Sequence, residues 1–221
     1  PSAANSSSGF RGGGTAAQSL TLADAQVLAD RSVVPDVAAV APTIATQGLL
    51  QAGDPSWTTT VYGTTVTYPV VRPQPVAQGS FFTPADQNAG VPVVVLGATV
   101  TTQLYGQQNP IGKVLRINGQ DFTVAGTLAP TGSTSLVDQD NQVLVPITAF
   151  AARLSNVTTA GGLSAIYLQA ASGGQLSAAV QQVTNTLLVS HRVTPDTQDF
   201  SVMTYASLVS VESQKTGLLT S

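Results

Sequence analysis

The residues with the most chemical promise lie in LYGQQNPIGKVLRING, residues 104–119, where Gly106 is followed after five residues by Gly112-Lys113. Glycines ahead of a lysine evoke a phosphate-binding loop. That loop needs four residues between the glycines and a Ser or Thr after the lysine, so that backbone amides wrap the phosphates and the hydroxyl reaches magnesium. Here the spacing is five and Val114 holds the hydroxyl position. The order is also reversed: an anion site needs a helix N-terminus after the loop, whereas the flanking residues read as helix, loop, strand. A nucleotide site is excluded on all three counts.

The other candidates weaken on inspection. His191 is the single histidine. As a general base it would need a nucleophilic Ser and an acid beside it, and no G-x-S-x-G elbow occurs. It follows the last apolar turn of a predicted helix, beside Arg192, where a cation favours the helix dipole. Asp138, Asp140 and Asn141 spell D-x-D-N, the start of a calcium loop, but Val143 and Ala149 stand where that loop needs Gly and Glu. A turn leading into a strand is the better reading. Asp24, Asp30, Asp36 and Asp54 are scattered over separate elements, and Trp57 and Tyr62 read as strand packing. Asn156-Val157-Thr158 fits a glycosylation sequon, which has meaning only in a eukaryotic secretory context. No catalytic, cofactor-binding or metal-ligating residue is assigned, and no cofactor is expected.

The elements that would position these residues follow from spacing. Residues 1–19, with a Ser run and three consecutive Gly, read as a flexible lead-in. LTLADAQVLADR (20–31) predicts a helix that opens on a capping box of Thr21 and Asp24 and stops before Pro35. Segment 37–50 predicts a strand interrupted at Pro42, and 57–71 alternates β-branched and aromatic residues around Gly63. In 79–90, Thr83 precedes Pro84 at a favoured first helical position. VPVVVLG (91–97) predicts a buried strand, and 97–106 a short helix closed by Gly106.

Asn118-Gly119 is a strong hairpin signal, because both turn positions need positive φ. A two-residue turn there sets Ile117 opposite Gln120, Arg116 opposite Asp121, Leu115 opposite Phe122 and Val114 opposite Thr123. Leu115, Ile117, Phe122 and Val124 then share an apolar face, and Lys113 falls at the exposed mouth of the ribbon. Downstream, 142–154 predicts a strand to Pro146 and then a helix, 163–170 a strand, 173–192 the strongest helix, 199–205 a strand and 206–221 a terminal helix. The fold class is α+β. Two lobes are expected: an α/β sandwich built from both chain ends (20–90 and 158–221), and an inserted β-rich lobe (91–157).

Composition bounds the function. The chain has 221 residues, 43% hydrophobic but only 9% charged, against about 25% charged in ordinary domains. Eight Lys+Arg and a net charge of −3 leave no basic stripe, so no nucleic-acid partner is expected. There is no Cys, which excludes thiol chemistry and thiolate metal sites. No run of eighteen apolar residues is present. A start at Pro1, without Met, points to a fragment of a longer protein.

The segment from Gly79 to Gly126 resembles the extracytoplasmic core domain of MacB-type ABC transporter permeases. Six short motifs fall in that family's order: Gly79 with Phe81, Phe82, Thr83 and Asp86; Val93 to Gly97; Leu104 to Gly106; Asn109 to Lys113; Ile117 to Gly119; and Phe122, Val124 and Gly126. The resemblance implies a two-lobed, non-enzymatic periplasmic or cell-surface domain lying between two transmembrane helices of a bacterial permease. It implies as partners those helices, a second permease copy, an ATP-hydrolysing domain or subunit in the cytoplasm and, in Gram-negative members, a periplasmic adaptor. It also implies mechanical coupling across the membrane in export. One apolar strand that family members carry before the position of Pro1 is missing here. Two alternatives are weighed beside it: a stand-alone secreted binding or adhesion module, and a secreted hydrolase, which would need His191 within hydrogen-bond reach of both a Ser and an Asp.

Overall fold

Thr21 caps the first helix as expected. In the computed structural model, which describes residues 20–131, 139–154 and 162–204, its hydroxyl accepts from the Asp24 amide while the Asp24 carboxylate accepts from the Thr21 amide. This capping box opens α1 (Leu22–Ala29). The same device, with Thr83 and Asp86, opens α3 (Pro84–Ala89), whose end is closed by Gly90 in the left-handed region. The lead-in 1–19, the terminal helix 206–221, the sequon and Asp138 lie outside the described residues.

β1 (Val37–Gln51) runs unbroken through Pro42, contrary to the expected interruption. The reason is a change of partners. Residues 37–43 pair antiparallel with β8 (Ala165–Ala170), while residues 44–51 pair antiparallel with β2 (Ser56–Thr64). Pro42 sits next to that changeover, opposite Ile166, and its carbonyl accepts a hydrogen bond from the Thr64 hydroxyl. A missing N–H is tolerated where the ladder is being handed on. β2 ends at Thr64, short of the 57–71 run, because Pro69 lies in the first turn of a one-turn helix α2 (Tyr68–Val71). β3 (Val76–Gly79) was not legible in the sequence: all four residues are exposed, so no alternation marks it.

The remaining elements are β4 (Val93–Leu96), α4 (Ala98–Tyr105), β5 (Val114–Ile117), β6 (Gln120–Leu128), β7 (Gln142–Pro146), α5 (Ile147–Arg153) and α6 (Leu176–His191), the last preceded by a 3₁₀ turn at 173–175. The hairpin register is the expected one in all four pairs, with φ of +49° at Asn118 and +82° at Gly119. Pairing closes on itself: β1–β2–β7–β4–β6–β5 and back to β1, where Leu50 faces Ile117 and Gln51 faces Arg116. The β2–β7 and β4–β6 pairs are parallel, so the sheet is mixed. β3 hangs on β6, and β8 extends the sheet beyond β1.

The ring encloses its own core of Leu50, Val61, Val94, Leu96, Leu115, Ile117, Phe122, Val124, Val143 and Val145, all essentially inaccessible. Full burial of such side chains contributes about 1.5–3 kcal/mol each. Helices α4 and α5 add Val100, Leu104 and Phe150 to it. Phe150 lies directly on Gly63, where a Cβ would stand 2.6 Å from the Phe150 Cβ and Cγ, so only glycine fits. A second core joins α1 and α6 to β1: Ala25, Leu28, Val34, Val37, Val40, Ala179, Val183, Leu187 and Phe200. The expected strand at 199–205 is absent from its described part, 199–204. Phe200 is fixed there by burying its ring rather than by a ladder.

Candidate functional site

The opening stretch forms a scaffold, not an anion cradle. α4 ends at Gly106, with φ of +56°, and the Asn109 carboxamide accepts from the Ile111 amide to turn the chain. Lys113 Nζ donates to Gln108 Oε1 at 2.9 Å and lies 5.4 Å from the centre of the Tyr105 ring. It is therefore spent on its own turn. At the far end, the Asn118 amide donates to the Leu49 carbonyl (3.0 Å), and Asn118 Oδ1 accepts from the Leu49 amide (2.9 Å). The side chain thus adds a rung to the short β5–β1 seam that closes the ring. Arg116 and Asp121 pair at 3.0 Å on the outer face, more than half exposed.

The densest titratable cluster surrounds His191, the last residue of α6. Its Nε2 lies 3.2 Å from Asp24 Oδ2, and its Nδ1 lies 2.9 Å from Asp199 Oδ1. The His191 and Asp24 side chains are 9% and 4% exposed, and Asp199 is 39% exposed. Asp24 also accepts from Ser190 (2.8 Å) and Thr21. Burial alone would push the Asp24 carboxyl up, but hydrogen bonds from Thr21, Ser190 and His191 outweigh it and hold the group below the usual range. For His191, burial opposes the charged form, yet hydrogen bonds to Asp199 and Asp24 prevail and raise its pKa. Both ring nitrogens face carboxylates, and the Ser190 hydroxyl bonds to Asp24. No ring nitrogen is left to activate a serine, so the geometry does not provide what the hydrolase alternative needs. The helix-end position of His191 was legible in the sequence. Its two acidic partners were not, because Asp24 lies at the other end of the sequence and Asp199 in a segment that reads as a strand.

Asp140 and Asn141 serve as a turn before β7, but a buried one. The Asp140 carboxylate accepts from the Thr131 amide and hydroxyl and from Gln74, and Asn141 Oδ1 accepts from Trp57 Nε1 (2.9 Å) and the Thr59 hydroxyl (2.8 Å). Trp57 is thereby tied to the sheet instead of presenting a free stacking face. Among the described residues no group of three or more potential ligands could hold a metal ion. Tyr62 belongs to a cluster that composition gave no hint of: Arg72 stacks 5.0 Å over the Tyr167 ring, and Tyr68 meets Tyr167 edge-on at 5.9 Å. Burial pushes the Tyr68 hydroxyl up to about 12.

What the surface offers is shallow and weakly charged. The outer face of the hairpin, with Gln51, Gly53, Val114, Arg116 and Asp121, lines an open groove of about 250 Å³. Exposed apolar side chains include Leu22 and Val33, near the two ends of α1, and Val189 and Met203 around the end of α6. No helix among the described residues is long and apolar enough to cross a membrane.

Comparison with known proteins places this architecture. The description of the MacB-like periplasmic core domain matches residues 2–186. A macrolide export ATP-binding/permease protein MacB from Rhodospirillum rubrum is 34% identical over 178 residues, covering 79% of this chain and 27% of its own length. A pyoverdine export ATP-binding/permease protein PvdT from Pseudomonas aeruginosa is 28% identical over 184 residues, covering 83% of this chain and 27% of its own. The chain thus spans about a quarter of the length of the curated relatives it matches. The periplasmic region of MacB from Actinobacillus actinomycetemcomitans shares the fold with a TM-score of 0.73 at 23% identity, over 89% of this chain and 84% of that one. The extracellular domain of the transporter YknZ from Gram-positive bacteria shares it with a TM-score of 0.66 at 20% identity, over 79% and 86% of the two chains. The six motifs, which supply β4, β5 and β6 of the ring, and the match along residues 2–186 agree: the chain belongs to the family of MacB-like periplasmic core domains.

Proposed function

We propose that this chain is the extracytoplasmic domain of a bacterial ABC transporter permease used in export, and that it works without catalysis of its own. The family match over residues 2–186 carries this reading. The geometry agrees with it: the ionisable clusters at His191 and Asp140 are consumed in holding elements together. In this reading ATP is bound and hydrolysed by a separate cytoplasmic domain or subunit. The domain contributes contacts with a second permease copy, with its own transmembrane helices and, in a Gram-negative host, with a periplasmic adaptor. Its work is mechanical, the transmission of a shape change between packed units.

We further propose that the unit acts as two lobes, 20–90 with 158–221, and 91–157. β1 and β2 are shared between them: both lie in the first span yet complete the ring and its core with β4–β7, while β1 also pairs with β8. With so few charges, partner contacts rest on apolar and neutral polar surface rather than on electrostatic steering.

The test is to read the parent gene on both sides of the segment and to fractionate the full-length product. An apolar helix before Pro1 and a long apolar run after Ser221, with the product in the membrane fraction and this segment accessible from outside, are expected. A cleavable signal peptide with no apolar run after Ser221 overturns the reading in favour of a secreted module.

A further inference from the structure

The geometry at the end of α6 has a consequence beyond transport. A neutral imidazole carries one N–H and one lone pair, and only the imidazolium carries two donors. At His191 both nitrogens point at carboxylate oxygens, Nε2 at Asp24 (3.2 Å) and Nδ1 at Asp199 (2.9 Å). The arrangement is complete only when the ring is doubly protonated. On losing a proton, one nitrogen turns a lone pair toward an anionic oxygen, and that contact changes from attraction to repulsion. We propose that Asp24, His191 and Asp199 form a pH-sensitive latch that docks residues 198–204 onto α1 and α6 when the imidazole is charged and loosens them when it is neutral.

The three members come from α1, α6 and the segment that leaves α6. Asp24 is the N3 residue of α1, fixed by the capping box with Thr21 and by Ser190. His191 ends α6. Asp199 lies in the irregular segment that leaves the helix, where the backbone bonds are short-range: Val193 N to Leu188 O and Thr197 N to Thr194 O. Apolar side chains also seat that segment, Phe200 with its ring 5.8 Å from the imidazole, and Val202. Segments held by few long-range backbone bonds open locally at low cost. The charged groups acting on His191 are Asp24 from α1 and Asp199 from the exit segment. Ser190 and Phe200 face the cluster as neutral groups.

The sign follows from linkage. The pKa of His191 is raised above 6.5 when docked, so its contribution is complete below about pH 6.5 and is lost as pH rises through the docked value. The pKa of Asp24 is lowered below 3.8, so its contribution holds above about pH 3.8 and is lost on further acidification. Docking is therefore tightest between these limits, and an alkaline shift loosens residues 198–204.

His191 is the only histidine, so its ring signals in an NMR titration of the 221-residue chain are unambiguous. The second readout is amide hydrogen exchange of residues 193–204 at pH 5.5 and 8.5, corrected for intrinsic rates. The expected result is a pKa above 6.5, with local opening that increases about tenfold for each pH unit of that elevation, while protection in β4, β6 and β7 stays constant. The two readouts must agree, because they measure one linkage. His191→Gln should abolish the pH dependence in 193–204, and Asp199→Asn should lower the pKa of His191. A His191 pKa at or below 6.5, or protection in 193–204 that is the same at both pH values, overturns the proposal. The wild-type measurements decide the matter even if a variant does not fold.

Discussion

Asn118 offers a sharp test of how the ring of strands is closed, because three substitutions separate two effects. The residue has φ of +49°, and its Oδ1 accepts from the Leu49 amide at 2.9 Å. The β5–β1 seam has only two ladder pairs, Leu50 with Ile117 and Gln51 with Arg116, so this rung is a large share of it. Asn118→Asp keeps an acceptor and a residue type that tolerates the left-handed region, and should cost under about 0.5 kcal/mol. Asn118→Gly keeps the angle and loses the bond; about 0.5–1.5 kcal/mol for the bond and about 0.5–1 for added unfolded-chain freedom give roughly 1–2.5 kcal/mol. Asn118→Ala loses the bond and keeps a Cβ in the left-handed region without the polar side chain that makes Asn tolerant there, adding up to about 1–2 kcal/mol, for roughly 1.5–3.5 kcal/mol in all. Urea unfolding followed by circular dichroism, at constant m-value, reads the order Asp, Gly, Ala. A series in which aspartate falls as far as alanine would refute both the acceptor role and the turn geometry. Glycine matching wild type would refute the hydrogen bond alone.

Three further outcomes are expected. Arg116→Ala should change stability by less than about 1 kcal/mol, because the ion pair with Asp121 is more than half exposed; a urea titration checks it, and a drop of 2 kcal/mol or more (roughly a buried pair's range) contradicts the surface assignment. Gly63→Ala should cost about 1–3 kcal/mol through overpacking against Phe150, whose Cβ cannot swing away, as read from the thermal midpoint. Trp57 packs against the ring core and His191 lies beside the α1–α6 core, so tryptophan fluorescence and histidine NMR report on the two cores separately. Their urea midpoints should coincide, and separated transitions would show that β1 does not couple the two cores.

What could be read without coordinates was local. Asn118-Gly119 carried its own φ requirement and set four cross-strand pairs; the capping boxes at Thr21 and Thr83 lie within three residues of their acids; Gly106 closes α4 where the periodicity stops. The misreadings came where distant partners decide. Pro42 looks like a strand breaker until β1 is known to change neighbours beside it. DFSVMTY has strand composition but gains no ladder in its described part, because Phe200 is drawn into the α1–α6 core. His191 was placed correctly at a helix end, but as a plain cation. Asp24, in a helix at the opposite end of the sequence, turns it into a junction, and no local signal links them.

The same contrast explains why a chain with 9% charged residues still uses them sparingly and in depth. An exposed pair such as Arg116–Asp121 contributes little. At the seams the balance differs. Asp24 joins α1 to α6, Asp140 ties the turn before β7 to Thr131 and Gln74, and Asp36 holds the start of β1 to Gln175 and Gln182 of the α6 region. Asp24 also faces the imidazole of His191, but at Asp140 and Asp36 the donors named are neutral, so those junctions do not rest on a buried ion pair. Such a junction avoids most of the desolvation cost of a buried ion pair and is weakly screened by salt. Under the function proposed above, such a domain has to keep its elements in register while its surface meets partners through neutral contacts. Spending the scarce acids on internal seams achieves both. In the proposed latch it also leaves His191, whose two ring nitrogens face Asp24 and Asp199, as the group through which pH acts on these seams.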